Sequence, residues 1–139
     1  NRGREFTLHS GEKSYWVCDM LLIRNRFQSL MNFLRPNHAP IGIELGGMLL
    51  VQSYYWEAPF IRKDGAFYPS PGFASKTATL IDDVVTTESS MLNAASVLST
   101  IYDIEVVEYL CVLDRRKEDK KVLEIRSLVT AADLGLEPR

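Results

Sequence analysis

Residues 79–92 read Thr-Leu-Ile-Asp-Asp-Val-Val-Thr-Thr-Glu-Ser-Ser-Met-Leu, an apolar run that ends in two adjacent carboxylates and leads into a hydroxyl-rich turn. The β-branched residues favour a buried parallel strand, and the apolar spacing from Asn93 to Leu98 favours a helix. The turn therefore lies at the carboxyl end of a strand and the amino end of a helix, where unpaired N–H groups favour an anion. This stretch predicts a site for a sugar phosphate.

The carboxylates and the hydroxyls are suited to different parts of such a ligand. Asp82 and Asp83 face opposite ways from an extended backbone, so at least one of them can accept hydrogen bonds from a ribose diol. Four hydroxyl side chains are placed to surround a 5′-phosphate, those of Thr86, Thr87, Ser89 and Ser90. A plain strand-to-helix loop with an N-cap is the alternative interpretation.

Strand and helix patterns alternate on both sides of this stretch, which predicts an α/β fold with a mostly parallel sheet. The elements predicted before it are a strand at Ser14–Asp19, a helix over residues 20–35, a strand at Ile41–Glu44, a tight turn at Gly46-Gly47, a helix at Met48–Tyr55, a strand at Pro59–Lys63 and a mobile loop over residues 64–76. Those predicted after it are a helix that continues to about Tyr102, a strand at Val106–Leu113, a solvated charged turn at Arg115–Lys121, an edge strand at Val122–Leu128 and a short capped helix at Thr130–Asp133.

The composition is that of an ordinary globular protein. The 139 residues predict a single domain, of which 46% are hydrophobic and 24% charged. No run approaches the roughly 18 apolar residues that span a bilayer, and a net charge of −2 argues against general nucleic-acid binding. Cys18 and Cys111 stand far apart in apolar runs, which predicts buried thiols rather than a zinc site or a disulfide. The N-terminal residues do not resemble a signal peptide, so a cytoplasmic location is expected.

Residues 79–92 resemble the signature that binds 5-phosphoribosyl pyrophosphate (PRPP) in the type I phosphoribosyltransferases. Four further segments agree in order with the orotate phosphoribosyltransferase branch of that family. They are Phe6-Thr7-Leu8-His9-Ser10-Gly11-Glu12-Lys13-Ser14, Gly42-Ile43-Glu44-Leu45-Gly46-Gly47, Phe60-Ile61-Arg62-Lys63 and Leu113-Asp114-Arg115. The resemblance runs from about residue 5 to residue 134.

The resemblance implies a mostly parallel sheet flanked by helices, with a small N-terminal hood over the base. It also implies transfer of a 5-phosphoribosyl group from PRPP to a pyrimidine-type base, orotate in that branch, with release of pyrophosphate and assistance from Mg²⁺. A homodimer is expected, and the aromatic residues Tyr54–Trp56 are compatible with both an interface and core packing.

The residues that match the family's motifs form the predicted site. The predicted PRPP contacts are Leu45, Gly46, Arg62, Lys63, Asp82, Asp83, Val84, Val85, Thr86, Thr87, Glu88, Ser89, Ser90 and His9. The predicted base contacts are Val17, Cys18, Thr86 and Arg115, and the predicted catalytic residues are Asp82, Asp83 and Lys63. Asp82 and Asp83 are also expected to bind the metal indirectly, through substrate or water.

Several of these residues have a plain structural interpretation as well. Arg62, Lys63 and His9 are typical of a solvated surface, and Arg115 leads a charged run. Val17 and Cys18 stand where the family has aromatic residues, and core packing is the stronger interpretation for both.

Two departures from the family fall at the chemistry. The second lysine and the histidine of the mobile catalytic loop have no counterpart after Lys63, and Glu88 replaces the signature glycine. A carboxylate about 4 Å from a phosphate costs roughly 1 to 4 kcal/mol as the effective dielectric constant falls from 80 to 20. Glu88 must therefore point away, meet a cation or weaken binding. A catalytically impaired descendant that senses nucleotides or binds a partner is the alternative function.

Overall fold

The computed structural model describes residues 26–55 and 57–137. A six-stranded sheet lies at its centre, with the strand order β3-β2-β1-β4-β5-β6. The strands are β1 (Ala39–Ile43), β2 (Phe60–Ile61), β3 (Phe67–Tyr68), β4 (Thr77–Val85), β5 (Glu105–Asp114) and β6 (Ile125–Thr130). Every pairing is parallel except that of β2 with β3. The predicted mostly parallel α/β sheet is confirmed.

Helices cover both faces of the sheet. They are α1, described over residues 26–34, α2 (Gly46–Gln52) and α3 (Ser89–Tyr102). Met91, Ala94 and Leu98 of α3 pack with Leu80 on one face, whereas α1 and α2 pack with Ile81 on the other. The apolar side chains of β4 are buried on both faces because a parallel strand between two helical layers has no solvated side.

The backbone of α2 packs directly against the sheet at Gly47. A β-carbon on Gly47 would lie 2.0 Å from the carbonyl oxygen of Ile81. Only glycine allows the helix backbone to pack directly on β4 at this point. Gly46 and Gly47 begin the helix, so the predicted tight turn at Gly46-Gly47 was wrong. The predicted helix at Met48–Tyr55 is present, but it begins at Gly46 and ends at Gln52.

The predicted mobile loop over residues 64–76 contains ordered structure. Arg62 N–H donates to the carbonyl oxygen of Ala66 at 2.8 Å, which closes a tight turn between β2 and β3. Phe67 of β3 is buried and stacks edge-on against Phe73 and Tyr102. The glycines and prolines of this segment indicated turns correctly. They did not indicate that Phe67 and Phe73 pack against each other within it.

The charged turn predicted at Arg115–Lys121 is only partly solvated. Glu118–Lys120 forms an exposed 3-10 turn, whereas Arg116 is 5% exposed. Composition did not reveal this difference because one of the two carboxylates that pair with Arg116, that of Glu88, lies 28 positions away in the chain. The edge strand was predicted three residues too early, since β6 begins at Ile125.

The remaining predictions for the described elements have mixed outcomes. α1 ends at residue 34, before Pro36, as predicted, and α3 ends at Tyr102 with Asp103 in a left-handed conformation. The predicted terminal helix is a 3-10 turn, Ala132–Leu134, with Thr130 and Asp133 capping each other. Tyr54 and Tyr55 are 39% and 61% exposed, so neither is a core residue, and Cys111 is a buried thiol as expected.

Three predictions lie outside the described residues, or largely so. They are the N-terminal hood, the strand at Ser14–Asp19 and the first part of the helix over residues 20–35. No helix within residues 26–55 and 57–137 has the length and apolar content needed to cross a bilayer.

Candidate active site at the carboxyl ends of β1 and β4

The strand order creates a crevice at the carboxyl ends of the neighbouring strands β1 and β4. From β1 the chain continues to β2 on one side, and from β4 it continues to β5 and β6 on the other. The loops after two such neighbouring strands diverge, and open α/β sheets bind ligands in the crevice between them. Here the carboxyl ends of β1 and β4 carry Glu44–Gly46 and Asp82–Asp83, so the acidic pair lies at this crevice.

A cleft of about 420 Å³ lies at this point. It brings together ten of the predicted PRPP residues, Leu45, Gly46, Lys63, Asp82, Asp83, Val84, Val85, Thr86, Thr87 and Ser90. Phe27 of α1, Leu49 of α2 and Met91 of α3 add apolar wall. The sequence patterns did not single out these three, because an apolar residue on a helix ordinarily belongs to the core.

The two carboxylates leave β4 on opposite faces. Leu80 belongs to the core on the α3 side and Ile81 to the core on the α2 side, so Asp82 and Asp83 continue that alternation. Asp83 reaches the first residue of α2, where a β-carbon on Gly46 would lie 2.1 Å from its Cγ atom. Asp83 therefore fills the space that the glycine leaves open.

Asp82 is the more deeply placed acid of the pair. It is 9% exposed and accepts a hydrogen bond from Asp83 N–H at 2.8 Å. Burial, followed by the side-chain hydrogen bond with Asp83 and the negative charge there, raises the pKa of Asp82 to about 7. This carboxyl is consequently divided between its protonated and ionised forms near neutral pH.

The turn at residues 86–90 joins β4 to the first residues of α3. Thr86, Thr87 and Ser89 are exposed, and the hydroxyls of Thr87 and Ser89 lie 2.8 Å apart. α3 extends over 14 residues, and its unpaired N–H groups point toward this turn. The 86–90 turn thus presents hydroxyl groups and helix donors together.

Glu88 does not face the cleft. Its carboxylate is buried and accepts a hydrogen bond from Arg116 Nη1 at 2.7 Å and another from Val122 N–H at 2.7 Å. Burial alone would raise the pKa of Glu88, but these bonds and a third from Leu123 N–H outweigh it and lower the pKa. Two of the three expected outcomes are therefore observed for Glu88, since its carboxylate points away from the cleft and meets a cation. A contact between Glu88 and PRPP would have to use its backbone.

Arg62 and Lys63 lie on the β2 side of the cleft. Both line a second cavity of about 430 Å³ that shares Lys63 and Ser90 with the first and also contains Ser89. Arg62 Nε is 3.4 Å from Glu44 Oε1, and the pKa of Arg62 is raised mainly by a hydrogen bond with Tyr68 and by Asp64. Lys63 is exposed and lies between the two cavities.

The predicted base contacts are less completely placed. Thr86 lines the cleft, whereas Arg115 donates from Nη2 to the carbonyl oxygen of Glu137 at 2.9 Å. Arg115 Nε is buried and has no hydrogen-bond partner among residues 26–55 and 57–137. Val17, Cys18 and His9 lie outside the described residues.

Similarity to known proteins agrees with this geometry. No protein-family model matches the chain. The chain is 29% identical to an orotate phosphoribosyltransferase from a Nocardioides species, over 94% of its own length and 85% of the relative's. The orotate phosphoribosyltransferase of Mycobacterium tuberculosis, solved in complex with PRPP, has a TM-score of 0.60 at 23% identity and matches over 95% of this chain and 81% of its own.

A phosphoribosyltransferase from Corynebacterium diphtheriae gives a TM-score of 0.58 at 24% identity, covering 96% of this chain and 83% of its own. The chain is thus similar in sequence to an orotate phosphoribosyltransferase and shares its fold with solved phosphoribosyltransferases. The resemblance predicted from the sequence motifs is thereby confirmed. In this phosphoribosyltransferase-like chain, the acidic strand end, the 86–90 turn and the Leu45-Gly46 backbone meet at one cleft.

Proposed function

We propose that the protein transfers a 5-phosphoribosyl group from PRPP to a nitrogenous base and releases pyrophosphate. The observation that carries this proposal is the contact between Asp83 and Gly46 inside a cleft that also contains the 86–90 turn. A pentose diol, a phosphate and a pyrophosphate need an acidic group, a helix start and a backbone or cationic contact, respectively. All three lie around one cavity.

The proposed roles follow from the chemistry of each group. Asp82 and Asp83 hydrogen-bond the ribose hydroxyls, and the hydroxyls of the 86–90 turn bind the 5′-phosphate. The backbone at Leu45-Gly46 and the ammonium group of Lys63 bind pyrophosphate. Such a site accelerates transfer by orienting donor and acceptor and by stabilising the charge that develops on the departing pyrophosphate, so it needs no covalent nucleophile.

The donor set fits Mg²⁺ bound mainly through the substrate. Within the described residues, no group of three or more His, Cys, Asp or Glu side chains is arranged to hold a metal ion. Mg²⁺ keeps several waters and is commonly bound by one or two carboxylates together with substrate phosphates. Asp82 and Asp83 would bind the ion indirectly, through substrate or water, and the ion would neutralise charge on the pyrophosphate.

The base is proposed to be a pyrimidine, with orotate as the first candidate. The support is the similarity to the Nocardioides orotate phosphoribosyltransferase. The fold does not select the base, since an adenine phosphoribosyltransferase from Thermoanaerobacter pseudethanolicus gives a TM-score of 0.56 at 13% identity, over 82% of this chain and 83% of its own. A guanidinium group suits a carboxylate on the base, and Arg115 is the residue to which the resemblance assigns that contact.

A pyrophosphate-release assay tests the proposed function. PRPP and Mg²⁺ are incubated with orotate, uracil or adenine, and Asp83→Asn is compared with wild type. Asp119→Asn, in the exposed 3-10 turn, is the matched control. Release with orotate that falls at least a hundredfold in Asp83→Asn alone supports the proposal, and wild-type turnover in that variant rejects the assigned role.

The same assay distinguishes the proposed transferase from the alternative, a descendant that senses nucleotides or binds a partner. PRPP binding without pyrophosphate release in the presence of any of the three bases would indicate a nucleotide-sensing module, which is the outcome expected if the missing loop lysine and histidine are indispensable. A homodimer in the cytoplasm remains part of the proposal through the orotate resemblance. Sedimentation equilibrium of the purified protein tests the dimer directly.

A further inference from the structure

A buried charge cluster lies directly beneath the 86–90 turn. Arg116 is at its centre, and the side chains of Arg116 and Glu88 are only 3% and 8% exposed. Residues 88 and 116 belong to different elements, since Glu88 is the N-cap of α3 and Arg116 follows β5. The cluster therefore joins the 86–90 turn to the segment that follows β5.

Asp114 orients the guanidinium group of Arg116. Arg116 Nε donates to Asp114 Oδ1 at 3.0 Å, and Nη2 donates to Oδ2 at 2.8 Å. This two-point contact fixes the plane of the guanidinium. The remaining nitrogen, Nη1, is thereby directed at Glu88 and at the carbonyl oxygen of Leu123, with distances of 2.7 and 2.8 Å.

Glu88 is held by hydrogen bonds from two kinds of donor. The N–H groups of Val122 and Leu123 donate at 2.7 and 3.0 Å, but they carry no net charge. Arg116 supplies the positive charge in contact with the carboxylate. Without that charge, a carboxylate on the 86–90 turn would repel a bound phosphate, with a loss of affinity of roughly tenfold to a thousandfold at about 4 Å.

We propose that Arg116 is a positioning residue for phosphate binding, whose guanidinium, oriented by Asp114, holds the Glu88 carboxylate away from the hydroxyls of the 86–90 turn. Lys121 Nζ, 3.9 Å from Asp114 Oδ2, supplies the second positive charge of the cluster. This inference rests on the proposed function, because it requires a phosphate group at that turn. The glycine of the family signature brings no side chain near the phosphate. In this chain the pairing of Arg116 with Glu88 would serve the same purpose. Arg116 acts through Glu88 and does not itself contact the ligand.

A double-mutant cycle with ribose 5-phosphate as the probe tests this role. Dissociation constants are measured by calorimetry for wild type, Arg116→Met, Glu88→Gln and the double variant. We expect Arg116→Met to weaken binding at least tenfold, Glu88→Gln to change it less than threefold, and the double variant to bind like Glu88→Gln. Arg126→Met is the control, since Arg126 pairs with Glu108 at 3.3 Å at the other end of β5.

Unchanged binding in Arg116→Met, or a double variant as weak as Arg116→Met, would overturn the inference. A purely structural role predicts the second result, because removal of the Glu88 charge would then rescue nothing. Wild type that binds ribose 5-phosphate but releases no pyrophosphate refutes transfer and leaves the role of Arg116 to the cycle. Wild type that binds no ribose 5-phosphate refutes both.

A measurement on wild type covers the case in which Arg116→Met does not fold. The carboxyl resonance of Glu88 is titrated by NMR with and without saturating ribose 5-phosphate. A carboxylate that is held away from the bound phosphate keeps the same lowered pKa in both states. A rise of about one unit on saturation, equivalent to a tenfold effect, would mean that the phosphate senses the Glu88 charge and would overturn the inference.

Discussion

The carboxylate of Asp83 fills the space beside Gly46 so closely that a β-carbon on Gly46 would lie 2.1 Å from its Cγ atom. The two residues belong to different elements, β4 and α2, and their contact closes one side of the candidate active site. The contact is between a backbone and the end of a side chain. A substitution at Gly46 should therefore displace the functional group rather than the fold.

Gly46→Ala is expected to lower kcat/KM for PRPP at least a hundredfold with little change in Tm. The methyl group forces Asp83 to rotate away from the ribose position, and side-chain rotation is inexpensive. Gly47→Ala is the contrasting variant, because its β-carbon would meet the Ile81 carbonyl oxygen at 2.0 Å. That clash involves backbone and should lower the free energy of unfolding by about 1 to 3 kcal/mol. Wild-type kcat/KM in Gly46→Ala would contradict the assignment.

Asp82→Asn is expected to stabilise the protein at neutral pH while it abolishes activity. The pKa of Asp82 is raised from 3.8 to about 7 in the folded state. As the pH rises from 4 to 7 the unfolded chain loses this proton and the folded chain keeps it, so stability falls. Asparagine removes that loss, which is on the order of 4 kcal/mol above pH 7.

Urea denaturation of both proteins at several pH values checks the prediction for Asp82. The two free energies of unfolding should converge near pH 3, where Asp82 is protonated in both the folded and the unfolded chain, and differ most near pH 8. Asp119→Asn, on the exposed 3-10 turn, should track wild type throughout. Equal stability of wild type and Asp82→Asn at pH 8 would show that the carboxyl does not titrate as described.

Lys63→Met is expected to raise the KM for PRPP about tenfold or more, because a cation beside pyrophosphate contributes roughly 1 to 4 kcal/mol at about 4 Å. The ammonium group borders both cavities of the site. Lys76→Met is the matched control, since Lys76 lies on the surface 3.4 Å from Asp103. Steady-state kinetics with varied PRPP separates the two variants. Equal KM values would remove Lys63 from the site.

Glu108→Gln is expected to reduce stability without changing activity. Glu108 accepts hydrogen bonds from Asn37 N–H at 2.8 Å, Thr79 Oγ1 at 2.5 Å and Arg126 Nη2 at 3.3 Å, near the amino end of β5. Burial opposes its charge, but these bonds prevail and lower the pKa of Glu108. Breaking this network should reduce the free energy of unfolding by about 1 to 3 kcal/mol at pH 7.

The stabilisation contributed by Glu108 should depend on pH. Because its folded pKa lies below the ordinary value of 4.5, its stabilisation is complete above that pH and is lost as the pH falls through the folded pKa. The difference from Glu108→Gln should therefore shrink in acid. Glu105→Gln, exposed on the same strand, is the control and should resemble wild type at every pH.

Local sequence patterns were sufficient for the elements that surround the site. The run from Thr79 to Leu92 predicted a buried strand, an anion-binding turn and a helix, and β4 and α3 lie there. Sequence patterns were least informative for glycines and charged residues whose structural role depends on contacts with other elements. Gly46 and Gly47 suggested a turn but begin a helix, and Arg116 suggested a solvated turn but is buried.

The amino-acid order alone carried the strand, the acidic pair and the helix start, because hydrophobic period and backbone hydrogen bonding involve residues close together in the chain. The contact of Asp83 with Gly46 and the pairing of Glu88 with Arg116, 28 positions apart, came from folding. Both depend on which strands lie side by side and on which face each side chain emerges. That arrangement is set by burial over the whole sheet, so no local pattern encodes it.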